Sequence, residues 1–241
     1  MLNEKKSWFI ISSGCAPVYE KPDFTSPMLT ETLFGESCKI ISRDKDWIKI
    51  NCEDGYVGWM HSFYGSRNTK KNIHRYLVAY PNDNGCFSIK YPFGSMSKNY
   101  VDGAISIDEV IGFRGLIGIA HSLLGVPYRW GGKSSLGFDC SGLVQSVLKI
   151  CGFKIPRDAQ DQFIFFQGSR IDLENANVGD LHFFGKEDKV THVGFSNGGL
   201  GLIHAQGYVK IDSLDSSIDS YNKELLDIYL STYSIKRKFN L

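Results

Sequence analysis

The sequence has no large excess of positive or negative charge, no long apolar run and no paired cysteine motif. Its 241 residues carry 27 Lys and Arg against 26 Asp and Glu, a net charge of +1. Charges that nearly cancel argue against a polybasic surface for nucleic acid or membranes. No apolar run approaches the ~20 residues of a membrane span. The six cysteines show no CxxC spacing, so no zinc-finger signature is present and no cofactor is indicated.

The N-terminus offers little for an export signal, since its apolar part, Trp8–Ile11, is only four residues long. A signal peptide needs an apolar region of ~7 to 15 residues. The length suits one large or two small domains, each with a sizeable core. We therefore expect a cytoplasmic globular protein.

Residues 126–152, VPYRWGGKSSLGFDCSGLVQSVLKICG, contain the most informative pattern in the chain. Its apolar residues recur at helical spacing. They are Leu143, Val144, Val147, Leu148 and Cys151. Asp139 suits the N-cap of this helix, and Gly152 suits the left-handed position after its end. Cys140 would then be the first helical residue.

Cys140 is a candidate nucleophile because of this position. A thiol at a helix N-terminus lies near free backbone N–H groups and the positive end of the helix dipole, so its pKa is expected to fall. A thiol nucleophile also needs a proton acceptor. His192 lies on the strand-like segment KVTHVGFSN, and His204 lies on the next short strand. Cysteine, histidine and an orienting polar residue form the arrangement that nucleophilic catalysis requires.

The segment around Cys140 resembles the signature of the NlpC-type cysteine peptidases of bacterial cell walls. The matching residues are Gly125, Pro127, Tyr128, Trp130, Gly131, Gly132, Gly137, Asp139, Cys140, Ser141 and Gly142. VGDLHFF and VTHVGF resemble two further strands of that family. The resemblance implies an α+β fold: a papain-like catalytic domain with a central antiparallel sheet and an N-terminal nucleophile helix.

The resemblance also implies roles for individual residues. Cys140, His192 and His204 would be catalytic, and the expected reaction is hydrolysis of the γ-D-glutamyl-diamino acid bond in murein peptides. In the cytosolic recycling members of the family, the aspartate before the cysteine, here Asp139, helps to bind a free N-terminal L-Ala. Ser141 would assist, and Tyr128 would complete the oxyanion hole or position the substrate.

Residues 1–64 predict a small all-β barrel. Short strands are expected at 8–11, 16–19, 29–34, 38–42, 47–51 and 56–60. APVYEKP and WIKINCEDGYVGWM resemble the bacterial SH3-like domains that precede NlpC-type domains. Tyr64, or an aromatic residue within the barrel, would form a wall of the substrate cleft. The barrel aromatic side chains are also well suited to filling its core or seam.

Residues 65–105 are interpreted as a connector that extends the barrel, with strands at 76–80 and 87–91. The catalytic domain then occupies 106–241. It begins with a helix within 107–124, whose buried stripe would be Phe113, Ile117, Ala120 and Leu124. A helix at 159–166 would place Phe163 to Phe166 in the core. The chain is predicted to close with a strand near 233–239.

Several alternatives remain open from the sequence. Arg157 could bind a substrate carboxylate or pair structurally with Asp158 or Asp161. His121 and His182 are expected to be structural. A zinc site of Cys140, His192 and His204 would have only three ligands. The alternative functions are a peptidoglycan-binding module and a hydrolase or amidase that remodels intact wall.

Overall fold

The computed structural model describes residues 7–109, 111–187 and 189–241. The chain forms two compact units. The first comprises Met1–Glu109 and Trp130–Leu136, and the second comprises Val110–Arg129 and Gly137–Leu241. Within the described residues, no helix is long and apolar enough to cross a membrane.

The first unit is built on a seven-stranded sheet whose neighbouring strands are antiparallel. Its strands are β1 (Trp8–Ile11), β2 (Cys15–Tyr19), β3 (Met28–Leu33), β4 (Ser37–Asp44), β5 (Trp47–Asn51), β6 (Val57–His61) and β7 (Gly65–Asn68). Their order across the sheet is β3-β2-β6-β5-β4-β1-β7. The six strands expected from the sequence are therefore present, and β7 adds a seventh from the predicted connector.

Alternation of side chains along these strands builds the core of the first unit. In β1, β2 and β5 every second residue is buried, as expected for strands with one solvent-facing side. The fully buried set is Phe9, Ile11, Ala16, Val18, Cys38, Ile40, Ile48, Ile50, Cys52 and Met60. Tyr56 and Tyr64 pack against it while remaining partly exposed.

The predicted connector contains a second, three-stranded sheet formed by β8 (Tyr76–Val78), β9 (Met96–Ser97) and β10 (Ala104–Ser106). The strand predicted at 87–91 is wrong, because these residues are in coil and bends. Ile89 is 78% exposed and does not contribute the buried side chain that an alternating strand would need.

The glycine-rich segment Trp130–Leu136 belongs to the first unit, although it lies between two parts of the second. It includes β11 (Lys133–Ser134). The buried Lys133 ammonium lies 3.3 Å from both Glu36 carboxylate oxygens and 3.3 Å from Asp54 Oδ2. Glu31 Oε1 accepts from the Lys133 backbone N–H at 2.8 Å and from Ser134 Oγ at 3.0 Å. These charged contacts hold the segment against the strands of the first unit.

The second unit contains a six-stranded antiparallel sheet with α-helices packed on it. Its helices are α1 (Gly112–His121), α2 (Cys140–Ile150), α3 (Ala159–Phe166), α4 (Lys223–Asp227) and α5 (Ile235–Phe239). Its strands are β12 (Gly137–Phe138), β13 (Arg170–Ile171), β14 (Leu181–Lys186), β15 (Lys189–Gly198), β16 (Gly201–Gln206), β17 (Tyr208–Ser213) and β18 (Tyr229–Tyr233). The sheet order is β13-β18-β14-β15-β16-β17.

The helix α2 packs against β15 and β16 and is the most buried helix of the unit. Ten of its eleven residues are buried, and only Lys149 is more exposed. The predicted N-cap is confirmed, since Asp139 accepts a hydrogen bond from the Gly142 backbone N–H. Gly152 follows the helix with a φ of 90°, which confirms the left-handed position predicted for it.

Three sequence-based predictions for the second unit are corrected. The buried stripe of α1 consists of Leu116, Ile119 and Ala120, whereas the predicted Leu124 lies beyond the helix and is 39% exposed. Ile164 of α3 is 53% exposed. The closing strand is β18, and residues 235–239 form α5, whose first turn is capped by Ser234.

Candidate active site

Cys140 opens α2 and is 7% exposed. Helix α2 packs against strand β15, and the backbone of Val193 on that strand opposes a rise of the thiol pKa. Because Val193 directly follows His192, the packing of these two elements brings Cys140 to the histidine strand. The structure thus joins the two segments that the sequence analysis selected separately.

Burial, followed by the charge of Asp139, raises the pKa of the Cys140 thiol to about 11. The backbone hydrogen bonds from Val193 and Ser141 and the charge of Arg157 oppose this change. The expected fall of the Cys140 pKa is therefore not found. Loss of hydration and a neighbouring carboxylate outweigh the favourable helix terminus.

A buried ion pair lies directly beside Cys140. Arg157 donates from Nη1 to Asp139 Oδ1 at 2.8 Å and from Nη2 to Asp139 Oδ2 at 2.6 Å. Arg157 also donates to Ser141 Oγ at 3.1 Å, and the guanidinium side chain is 2% exposed. Such a two-point contact fixes the orientation of the guanidinium and carboxylate planes relative to each other. Asp139 therefore caps the helix and pairs with Arg157 at the same time.

Arg157 has a partner that the sequence analysis did not consider. Asp139 precedes Arg157 by 18 positions, whereas the sequence indicated the nearby Asp158 or Asp161. The geometry places Arg157 as a support for the nucleophile helix. Its two terminal nitrogens donate to Asp139 and Ser141, and a role of Arg157 in binding a substrate carboxylate stays a prediction.

His192 and His204 are hydrogen-bonded to each other on adjacent strands. His192 Nε2 lies 2.8 Å from His204 Nδ1, and the two rings are nearly perpendicular at 88°. Burial, followed by the charge of His204, lowers the pKa of His192 to about 3. Burial lowers the pKa of His204 to about 4, although Asp212 opposes this change. Both imidazoles are therefore neutral at pH 7.

The close pairing of these strands depends on Gly194. A Cβ atom at this position would lie 2.8 Å from His204 Cβ and 2.6 Å from Leu202 Cδ1. Real Cβ atoms do not approach other atoms so closely, so any larger residue would displace the strand that carries His204. The glycine of VTHVGF therefore has a local steric role beside the histidine pair.

Asp212 is a site residue that the sequence analysis missed. Its Oδ2 lies 3.1 Å from His204 Nε2, 3.1 Å from Lys210 Nζ and 2.7 Å from Asn222 Nδ2. The signal was available in the hairpin of β16 and β17. There Lys210 pairs with His204, so Asp212 is two residues from the position opposite His204, within reach of a diagonal contact.

The remaining predicted site residues have different positions. Tyr128 is half-buried in the second unit, and burial, followed by the charges of Cys140 and Asp139, raises its pKa to about 12. Its hydroxyl is thus a hydrogen-bond donor in the same electrostatic surroundings as the nucleophile. Tyr64 is part of the first unit, where burial, followed by Tyr19, raises its pKa. A role of Tyr64 in substrate binding stays a prediction.

His182 is fully buried on β14, and its Nδ1 lies 2.8 Å from Thr232 Oγ1. His121 Nε2 lies 3.2 Å from Asn197 Oδ1. Neither contact involves the thiol or the histidine pair. Among the described residues, no group of three or more His, Cys, Asp or Glu could hold a metal ion.

The assembled groups suit acyl transfer through a thiol. Cys140 offers a thiol that can act as a nucleophile, and His192 offers a neutral imidazole whose Nε2 is hydrogen-bonded to His204. With both groups uncharged, attack of the sulfur on a carbonyl group would require transfer of the thiol proton to an imidazole. His204 lies at hydrogen-bond distance from His192, the place that the third member of a catalytic triad takes.

Comparisons with known proteins agree with this arrangement. The NlpC/P60 family model matches residues 125–228, and the model of the bacterial dipeptidyl-peptidase Sh3 domain matches residues 18–62. A γ-D-glutamyl-L-lysine dipeptidyl-peptidase from Bacillus subtilis (strain 168) is 30% identical over 235 residues, with 81% of this chain and 78% of that protein covered. A protein of the same name from Bacillus cereus (strain ATCC 10987 / NRS 248) is 28% identical, with 73% and 66% covered.

A crystal structure of an NlpC/P60 family protein from Bacillus cereus ATCC 10987 has the same fold. Its TM-score is 0.77 at 21% identity, and the alignment covers 94% of this chain and 99% of that one. The predicted α+β papain-like fold with an N-terminal SH3-like region is thus confirmed. With the similarity to the Bacillus subtilis protein over most of both chains, these findings show that the chain belongs to the NlpC/P60 family and is a cysteine peptidase.

Proposed function

We propose that this cysteine peptidase hydrolyses the γ-D-glutamyl-diamino acid bond of peptidoglycan-derived peptides. The observation that carries the proposal is the hydrogen bond between His192 on β15 and His204 on β16, the two strands against which the helix of Cys140 packs. The names of the two Bacillus relatives support the choice of bond. The substrate is a short peptide with an amide bond at the side-chain carboxyl of D-glutamate.

The proposed reaction begins with attack of the Cys140 sulfur on the γ-carbonyl carbon while His192 Nδ1 takes the thiol proton. The resulting oxyanion accepts hydrogen bonds from the Cys140 backbone N–H and the Tyr128 hydroxyl. Collapse breaks the amide bond, and His192 returns the proton to the departing amine. Water, deprotonated by His192, then attacks the thioester, which releases the D-glutamyl carboxylate and restores the thiol.

A free N-terminal amine is the proposed specificity element. Asp139 and Ser141 lie beside Cys140, and an ammonium group is the natural complement of a carboxylate and a hydroxyl oxygen. Because Arg157 already contacts both Asp139 oxygens, the ammonium would share this carboxylate with the guanidinium.

A preference for free amines would direct the enzyme to released peptides, so we propose a cytoplasmic role in murein peptide recycling. Six free cysteines are consistent with a reducing compartment. If Cys140 stays free as the nucleophile, an odd number of the six cysteines remains, and these cannot all form disulfides within the chain. This also fits a compartment in which cysteines stay reduced.

The test is mass spectrometry of the purified protein incubated with L-Ala-γ-D-Glu-L-Lys, its diaminopimelate counterpart, and the N-acetylated form of each. We expect release of L-Ala-D-Glu from free-amine peptides and none from the Cys140→Ala variant. Cys86→Ala is the matched control, because Cys86 is an exposed cysteine of the first unit, and it should retain full activity.

Each other outcome supports a different function. Equal cleavage of free and acetylated peptides would remove the amine specificity and, with release of fragments from intact sacculi, would favour wall remodelling. Cleavage only at a muramoyl amide would indicate an amidase. Binding of wall fragments without cleavage of any substrate would favour a binding module.

A further inference from the structure

We propose that Asp212 is a positioning residue that fixes the tautomers of His204 and His192, so that His192 Nδ1 is left as the base for Cys140. The inference rests on the proposed role of the cysteine and histidine pair in hydrolysis. Asp212 would be the fourth residue of the site after Cys140, His192 and His204, and it would act on His192 through His204. Neither the SH3-like region nor any bound group is required for it.

The series can be followed proton by proton from Asp212. An ionised carboxylate only accepts hydrogen bonds, so the contact of 3.1 Å requires that His204 Nε2 carries a proton. Although burial raises the pKa of Asp212, hydrogen bonds from Asn222, Lys210 and His204 lower it overall, so the carboxylate is ionised at neutral pH. Asp212 therefore acts as the fixed acceptor at one end.

A neutral imidazole carries one N–H, so a proton on His204 Nε2 leaves Nδ1 as an acceptor. The atom facing His204 Nδ1 at 2.8 Å is His192 Nε2, which must then be the donor. The unprotonated nitrogen of His192 is consequently Nδ1. Among the described residues, no hydrogen bond within the protein uses this atom, so it is available for the thiol proton.

The surroundings of Asp212 hold the acceptor in place. Asn222 and Lys210 direct their donors to the same oxygen, Oδ2, as His204 does. Asn222 is itself fixed, because its Oδ1 caps α4 through the Leu225 backbone N–H at 3.0 Å. Three convergent donors at Oδ2 therefore demand an acceptor at this position, whether it is a carboxylate or an amide oxygen.

This geometry predicts unequal effects for two substitutions. In Asp212→Asn, the donors of Asn222 and Lys210 should orient the new amide with its oxygen at the Oδ2 position, so His204 keeps its tautomer. We expect kcat within about fivefold of wild type, the effect of replacing a charged acceptor by a neutral one. In Asp212→Ala, no acceptor remains, and kcat should fall about 100-fold with little change in KM.

The closing experiment measures tautomers and kinetics together. Protein labelled with ¹⁵N-histidine gives the protonation of each ring nitrogen by long-range ¹H–¹⁵N NMR, without any substrate. We expect protons on Nε2 of both His204 and His192 in wild type and Asp212→Asn at pH 7, and mixed tautomers in Asp212→Ala. Asp215→Asn is the matched control, since Asp215 is near in sequence and contacts only Ser217 by its side chain within the described residues.

The outcomes separate this proposal from the proposed function. A proton on His204 Nδ1 in wild type would overturn the positioning role whatever the substrate is, and it can be read even if Asp212→Ala does not fold. Unchanged tautomers and a kcat within twofold of wild type in folded Asp212→Ala would do the same. The expected tautomers in a protein that cleaves no γ-D-glutamyl peptide would support the inference and count against the function.

Discussion

Replacement of Arg157 by methionine should strongly destabilise the second unit. The Arg157 and Asp139 side chains are 2% and 10% exposed, and they are joined by two charge-assisted hydrogen bonds. Removal of one member of a buried ion pair costs about 3–5 kcal/mol, because the remaining buried charge loses its counter-charge. Arg157→Met also removes a donor to Ser141, so we expect at least the lower value.

Asp139→Asn provides the matched variant for a double-mutant cycle. Asparagine is as good an N-cap as aspartate, so α2 keeps its hydrogen bond to the Gly142 backbone N–H. The double variant leaves no buried carboxylate beside the methionine. It should therefore be more stable than Arg157→Met alone, and the coupling energy should exceed about 2 kcal/mol.

Amide hydrogen exchange followed by mass spectrometry is the suitable assay. All four tryptophans, at 8, 47, 59 and 130, lie in the first unit, so their fluorescence does not report on the second. In a peptide covering α2, a loss of 3 kcal/mol should accelerate exchange more than about 100-fold. Peptides from β4 and β5 serve as an internal reference.

Exchange of α2 within about threefold of wild type in Arg157→Met would refute this reasoning, because the carboxylate would then be solvated or neutralised in another way. Additive effects in the double variant would show that the two side chains stabilise the unit independently.

Three further predictions concern the site. Burial lowers the pKa values of His182, His192 and His204 to about 4, 3 and 4, so the stability that their neutral forms provide is complete above pH 6.5 and should fall as the pH drops from 6.5 towards 3. Urea unfolding followed by far-UV circular dichroism should therefore give a lower midpoint at pH 5 than at pH 7. Equal midpoints would contradict burial of these histidines in the neutral form. Because burial raises the pKa of the Cys140 thiol to about 11, the rate of its alkylation by iodoacetamide should increase about tenfold per pH unit from pH 6 to 9. Peptide mass spectrometry measures this rate, and a plateau in this pH range would instead indicate a preformed thiolate. Gly194→Ala should lower kcat at least about 10-fold, because the added Cβ would lie 2.8 Å from His204 Cβ and displace the strand that carries His204. An unchanged kcat in folded protein would show that the strand accommodates the methyl group without moving His204 out of place.

The sequence predicted well those features that short stretches of chain determine. The N-cap of Asp139, the helix of Cys140 and the strands of the two histidines all follow from local patterns of polar, apolar and glycine residues. The barrel strands were likewise predicted to within a few residues, because their alternation and turns are local signals.

Features that depend on burial and distant contacts could not be obtained in this way. The pKa of Cys140 rises because the folded chain removes water from a thiol that the sequence places only at a helix end. The pairing of Arg157 with Asp139 and the contact of Asp212 with His204 require the register of the helices and strands. The predicted strand at 87–91 failed because its residues pair with no neighbouring strand in the described structure.

The position of Trp130–Leu136 in the first unit has a consequence for modular exchange of domains. This segment lies within the stretch that connects Tyr128 to Cys140, yet its Lys133 is neutralised by Glu36 and Asp54. A chain from which residues 1–109 were deleted would expose this lysine without its two carboxylates. The unit that could be transplanted between proteins is therefore discontinuous in sequence, and a graft of a foreign barrel should succeed only if residues 130–136 are exchanged with it.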